Sequence, residues 1–167
     1  MFFHDMGGPV IFNIKTGGKQ IWHGFRYTWG KVYRKRAMGN KALFVLIDDD
    51  IDDYEIFKMA ISDVDKPLQC IYFPDCESAV AHFSQPSVTP PGYVFVDINL
   101  PRTSGDECLQ QLQSLKAFDD PCIIIYSSSI PEEWKPRLKT IGVNKFVEKQ
   151  GSIPLLVDQI QHLMLAG

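Results

Sequence analysis

Short, almost uniformly apolar runs recur along this chain, separated by segments whose apolar residues return at helical spacing, and this alternation constrains the fold more than any other feature. The first run, Leu43 to Ile47, ends abruptly in carboxylates. It reads as a strand buried on both faces. Behind it Ile56, Phe57, Ala60, Ile61 and Val64 share one helical face, with Asp52 or Asp53 placed to cap and charge the helix start. The same reading predicts strands over Leu68 to Phe73, Tyr93 to Val96, Cys122 to Tyr126 and Lys145 to Val147. It predicts helices over Glu77 to Phe83, Gly105 to Leu115, Pro131 to Ile141 and Ile153 to Leu165, with Pro131 and Pro154 suited to first helical turns. Five strand-and-helix alternations predict an α/β fold, a doubly wound five-stranded parallel sheet with helices on both faces.

In such a sheet ligands bind outside the carboxyl ends of the strands, so the residues that follow each strand carry the functional reading. Strand one runs into Asp48, Asp49 and Asp50, strand three into Asp97, strand four into Ser127 and Ser128, and strand five into Lys149. Carboxylates brought together from strands one and three repel unless a cation lies between them. Magnesium suits them, because this hard ion takes oxygen ligands and commonly combines one or two carboxylates with phosphate oxygens. A carboxylate beside such an ion can act as nucleophile toward a phosphoryl donor, while a Lys and a hydroxyl hold the other oxygens. Lys149 and Ser127 supply those groups, although Tyr126 and Ser128 compete with Ser127 for the hydroxyl role.

Each of these residues has an ordinary reading when taken singly. An acidic run is most often a solvated helix start, and Asp97 could be a turn residue before Pro101. Their joint occurrence, each directly after an expected strand, favours the phosphorylation site. The histidines show no paired metal-ligand spacing.

The segments "LFVLIDDD", "YVFVDINLPRTSG", "IIIYSSS" and "VNKFVEK" resemble, in order and spacing, the signature positions of response-regulator receiver domains over about three quarters of the chain. The resemblance implies a flavodoxin-like sheet of strand order 2-1-3-4-5 and a phosphorylation-operated switch in a two-component phosphorelay. It makes Asp97 the phosphoacceptor. Asp48 and Asp49 become the acidic pair that holds Mg2+ together with Asp97 and the backbone carbonyl of Asn99. Ser127 and Lys149 become the phosphate-binding pair, and Phe146 stands at the switch aromatic position. Pro101 and Gly105 fit the loop after the acceptor. Implied partners are a sensor histidine kinase or phosphotransfer protein, a downstream protein target and a phosphorylation-dependent second copy of the chain. The regulator would catalyse only its own phosphorylation and dephosphorylation. One departure is Gln150, which stands where the family usually has a proline in a cis bond; before a non-proline residue that bond costs about 2.5–4 kcal/mol.

Two other readings start from the same residues. "LIDDDI" also resembles the first motif of haloacid-dehalogenase-type phosphatases, with Asp48 as nucleophile and Asp50 as acid, but only Asp158 follows Lys149 to serve as a late acid, and Asp97 would have no purpose. A pseudo-receiver that binds a partner without phosphorylation is the second, against which the complete set of acid, hydroxyl and Lys argues.

Charge divides the chain into residues 1–40 and 41–167. The first part holds seven Lys or Arg against a single Asp; the second holds ten basic residues against nineteen acidic ones, which disfavours nucleic acid as its direct partner. In the first part Trp22, Phe25, Tyr27, Trp29 and Tyr33 interleave with Arg26, Lys31, Arg34, Lys35 and Arg36, a mixture that suits nucleic acid, an anionic surface or an acidic partner. We read residues 1–37 instead as an extension upstream of Met38, arising from a misplaced start. Cys70, Cys76, Cys108 and Cys122 show no CxxC pairing and sit mostly in apolar segments, which predicts small buried hydrophobes in a reducing, cytoplasmic setting. No apolar run approaches the ~18 residues of a membrane helix. With the chain ending after helix five, its output is expected to be a protein interaction.

Overall fold

The computed structural model describes residues 43–115, 117–118, 120–149 and 151–165. The basic stretch of residues 1–40 and Gln150 therefore lie outside the described residues. Five strands, β1 (Leu43–Ile47), β2 (Gln69–Phe73), β3 (Tyr93–Val96), β4 (Cys122–Ser127) and β5 (Lys145–Glu148), alternate with five α-helices. These are α1 (Ile51–Ser62), α2 (Cys76–Phe83), α3 (Gly105–Gln113), α4 (Lys135–Thr140) and α5 (Ile153–Leu165). The strands form one parallel sheet in the order β2-β1-β3-β4-β5. This is the expected flavodoxin-like arrangement, with the order reversing between β1 and β3.

Side chains alternate across the central strands and so build two cores. Phe44, Leu46, Phe95, Ile124 and Tyr126 point to one face, where they meet Phe57, Ala60 and Ile61 of α1 and Leu156 and Ile160 of α5. Val45, Ile47, Val94, Val96, Ile123 and Ile125 point to the other, against Ala79 and Phe83 of α2, Leu109 and Leu112 of α3 and Leu138 of α4. Both faces of β1 and β3 are sealed, which is why their sequences are apolar without alternation.

Three local expectations are corrected. Helix α1 is capped by Asp50, whose carboxylate accepts from Asp52 N at 2.9 Å, so neither Asp52 nor Asp53 is the cap. The helix expected from Pro131 is broken into a 3-10 turn over Glu132–Trp134 followed by α4. Pro136 explains the break, because it has no N–H to donate back to residue 132 and is accommodated only in the first turn of the new helix. Finally, Cys76 and Cys108 are joined by a disulfide between α2 and α3, with their Cα atoms 5.5 Å apart. They are 32 positions apart in sequence and meet only because the two helices are neighbours on the same sheet face. Burial pushes the Cys70 thiol up to about 12, although Cys70 and Cys122 are only half-buried rather than the fully buried hydrophobes expected. Among the described residues no helix is long and apolar enough to cross a membrane.

Candidate functional site

Parallel register brings the carboxyl ends of β1, β3, β4 and β5 to one edge of the sheet. Asp48 N donates to Phe73 O and Asp97 N donates to Ile47 O, which fixes the residue after β1 beside β2 and the residue after β3 beside β1. Lys149 N donates to Ser127 O at 3.0 Å, which ties the end of β5 to the end of β4. Backbone pairing alone thus gathers Asp48, Asp97, Ser127 and Lys149, four polar residues from four strands, at the switch point of the fold.

Asp97 is the centre of the cluster. It is only 7% exposed, yet both carboxylate oxygens are satisfied. Oδ1 accepts from Ser127 Oγ at 2.8 Å and from Asn99 N at 3.0 Å, and Oδ2 accepts from Lys149 Nζ at 2.7 Å. Burial raises its pKa, but Lys149, the Asn99 N–H and the Ser127 hydroxyl together outweigh burial and leave it below the ordinary carboxylate value. It is held ionised.

Asp48 has the opposite environment. It is fully buried, and burial pushes its pKa up to about 6 despite the Lys149 ammonium and the Asp50 N–H beside it. Its Oδ1 accepts from Asp50 N at 3.1 Å. Its Oδ2 lies 2.8 Å from Lys149 Nζ, an ammonium it shares with Asp53 and Asp97, and has no further partner among the described residues. A fully buried carboxylate with only a share of one ammonium is incompletely compensated, and a second cation would complete its shell. Asp49 is exposed, and one oxygen from each of Asp48, Asp49 and Asp97 lies within 4.8 Å of the others. These three carboxylates are able to hold a metal ion, and the incompletely compensated Asp48 fits one.

Lys149 is the counter-charge of the whole cluster. Its side chain is 9% exposed, and its Nζ contacts Asp48, Asp97 and Asp53, the last at 2.6 Å. Those carboxylates raise its pKa against the effect of burial, so the ammonium stays charged. The ring of Tyr126 lies 5.7 Å below it, and burial pushes that phenol up to about 12. Asp53 is the residue that sequence reading missed. A helix-start carboxylate is so common that only the tertiary contact reveals its second use.

Ser127 is separated from its rivals. Tyr126 packs its ring against Phe57 and Phe95, and Ser128 is exposed, whereas Ser127 is fully buried with its hydroxyl on Asp97. Asn99 is exposed; its side chain approaches Ser127 Oγ at 3.4 Å. Phe146 is half-buried against the α2–α4 core, under the Lys135 ammonium at 5.7 Å, and is not part of the carboxylate cluster. Asp50 points its carboxylate into the α1 cap.

A family model described as the response regulator receiver domain matches residues 44–161. Among solved structures, the phosphorylated cyanobacterial phytochrome response regulator RcpA is similar at a TM-score of 0.64 and 21% identity, covering 73% of this chain and 90% of that one. The Mn(2+)-bound form of response regulator Rcp1 gives 0.61 and 19% over 73% and 91% of the two chains. Chemotaxis response regulator CheY4 of Vibrio cholerae gives 0.63 and 17% over 73% and 98%. Among curated proteins, Hybrid signal transduction histidine kinase D of Dictyostelium discoideum is 34% identical over 74 residues, which are 44% of this chain and only 5% of that protein.

Proposed function

This chain belongs to the response regulator receiver domain family, and on that premise we propose that it is a phosphorylation-operated signalling switch with Asp97 as phosphoacceptor. The observation that carries the reading is the state of Asp97: buried, ionised, held on one side by Lys149 and on the other by Ser127, with Asp48 and Asp49 beside it. A sensor histidine kinase or a phosphotransfer protein supplies the phosphoryl group. The Asp97 carboxylate attacks phosphorus, a P–O bond forms, the P–N bond to the donor imidazole breaks, and the imidazole leaves with that electron pair.

Asp48, Asp49, Asp97 and the backbone carbonyl of Asn99 would hold Mg2+, which supplies charge neutralisation for the transferring oxygens. Lys149 stays charged and donates to a phosphoryl oxygen. Ser127 releases Asp97 and donates its hydroxyl to another, because a phosphorylated carboxylate is a poorer acceptor than the phosphoryl group. That rearrangement at the ends of β4 and β5 is read by a protein partner, with Phe146 as the aromatic that follows it. The phosphatase reading needs Asp50 as a free acid, whereas its carboxylate caps α1.

Incubation with Mg2+ and acetyl phosphate, followed by phosphate-affinity electrophoresis, is expected to retard the wild-type protein and leave Asp97→Asn unshifted. A shift of equal size in both would sink the assignment of the acceptor. A second expected result concerns pH. Divalent-ion ligation needs an ionised Asp48, so affinity should fall about tenfold per unit as pH drops below the Asp48 value of about 6, and flatten above it. Calorimetric titration with Mg2+ between pH 5 and 7.5 measures this; a pH-independent Kd would remove Asp48 from the ligand set.

A further inference from the structure

Lys149 does not rest on the receiver site alone. Its ammonium makes two aligned hydrogen bonds, one to Asp97 Oδ2 at 2.7 Å and one to Asp53 Oδ2 at 2.6 Å. Asp53 lies in the first turn of α1, its side chain is 24% exposed, and it belongs neither to the three carboxylates grouped for a metal ion nor to the hydrogen bonds around Asp97. We propose that Asp53 is a positioning residue for phosphoryl transfer: it anchors the Lys149 ammonium so that Lys149 keeps its aim when Asp97 and Asp48 withdraw from it. The inference rests on the proposed phosphorylation of Asp97.

The need for an anchor follows from what the reaction does to Lys149's other partners. Once Asp97 carries a phosphoryl group, the bonded oxygen loses its charge and most of its strength as an acceptor. Once Asp48 ligates a cation, its oxygens are drawn to the stronger charge. Of the three carboxylates now around Nζ, Asp53 alone is left unaltered by either event. A lysine side chain has four rotatable bonds and a strongly hydrated head group, so an ammonium with one changing partner wanders. A fixed second acceptor on a different element, the first turn of a helix docked on the sheet through Phe57 and Ile61, holds it to one direction. Positioning of this kind matters because small displacements at a reacting centre cost large factors in rate.

A purely electrostatic role for Asp53 gives the opposite sign. Its charge repels an anionic phosphodonor, so removing it would speed phosphorylation. A purely helical role, complementing the α1 dipole, would lower stability slightly and leave the rate per folded molecule unchanged.

The test uses the full chain, Mg2+ and acetyl phosphate, and follows initial phosphorylation rate by phosphate-affinity electrophoresis. Asp53→Ala is expected to slow it about tenfold, and Asp53→Asn, which keeps an acceptor oxygen but no charge, to recover part of the loss. In a Lys149→Ala background Asp53→Ala is expected to change the residual rate less than about twofold, since the residue acts only through Lys149. In lysine-15N-labelled protein without metal or donor, a slowly exchanging ammonium resonance, assigned by its loss in Lys149→Arg, should vanish in Asp53→Ala. An Asp53→Ala rate equal to or above wild type, or an unchanged Lys149 resonance, overturns the inference and leaves the acceptor assignment standing. If the wild-type protein takes up no phosphoryl group on Asp97, that reading and this inference fall together.

Discussion

Replacing Lys149 with Ala is expected to cost both stability and phosphorylation, and the two losses should respond oppositely to pH. Lys149 is the cation that touches Asp48, Asp53 and Asp97. Removing it leaves a fully buried Asp48 and a nearly buried Asp97 facing each other without that compensation. Breaking a buried ion pair from one side costs about 3–5 kcal/mol. Asp48 already titrates near 6 because burial outweighs Lys149, and without the ammonium its folded-state pKa rises further above the unfolded value of 3.8. The folded variant then binds more protons than the unfolded chain throughout that window, so its stability falls as pH rises through it. Urea denaturation at pH 5 and pH 8 should show Lys149→Ala much closer to wild type at the lower pH, and added Mg2+ should restore part of the loss at pH 8. Phosphorylation behaves the other way, since it needs the carboxylates ionised. At pH 8 the rate should drop by about 100-fold or more, the usual consequence of removing a fixed donor to developing negative charge. A variant as stable and as readily phosphorylated as wild type at pH 8 would show that the cluster does not depend on its lysine.

The sheet was legible because its strands carry one kind of information. A strand buried on both faces must be apolar throughout, and Leu43–Ile47 and Tyr93–Val96 have no competing interpretation once their lengths are considered. Helix α5 was equally plain, since Ile153–Leu165 has an apolar face and Pro154 in its first turn. The segment around α4 was not. Its apolar spacing continues across Pro136, and periodicity cannot register that a missing N–H divides it into a 3-10 turn and a six-residue helix. The Cys76–Cys108 disulfide was also out of reach, because proximity of α2 and α3 is a property of the assembled sheet face.

At the site, the residue pattern alone does not rank the acids, and only the family resemblance narrows them to Asp48 and Asp49. Five aspartates lie within Asp48–Asp53, and composition treats them alike. Tertiary structure gives four of them different environments: Asp48 is buried against Lys149, Asp49 is exposed beside it, Asp50 caps α1, and Asp53 turns back to Lys149. The difference arises from where each falls relative to the last ladder bond of β1 and the first turn of α1. Ser127 was distinguishable from Tyr126 only through the alternation of β4, which sends the tyrosine ring into the α1–α5 core and the serine hydroxyl to Asp97.

That placement depends on a close backbone approach at Gly105, and Gly105→Ala is expected to damage the site from outside it. A Cβ at this position would stand 2.5 Å from the carbonyl oxygen of Asp97 and 2.9 Å from Cα of Ile98. Both are backbone atoms, so no rotamer change relieves the overlap. In an open helix the same substitution would stabilise by about 0.5–1 kcal/mol, because alanine is the better helix former. Here overpacking opposes that gain at about 1–3 kcal/mol, and the balance is destabilising. The displaced atoms belong to Asp97, the proposed acceptor, and to Ile98 beside it, and the Gly105 N–H to Ile98 O bond at 3.2 Å, which starts α3 against this loop, shifts with them. Phosphorylation and Mg2+ affinity should therefore fall even in the fraction that remains folded. Ser104→Ala is the control. Ser104 precedes α3 but its side chain makes no capping hydrogen bond, so its loss should stay within about 0.5 kcal/mol and leave phosphorylation intact. Equal stability and equal phosphorylation rates in the two variants would mean that the loop can yield without moving Asp97, and that the glycine is not what holds the carboxylate in place.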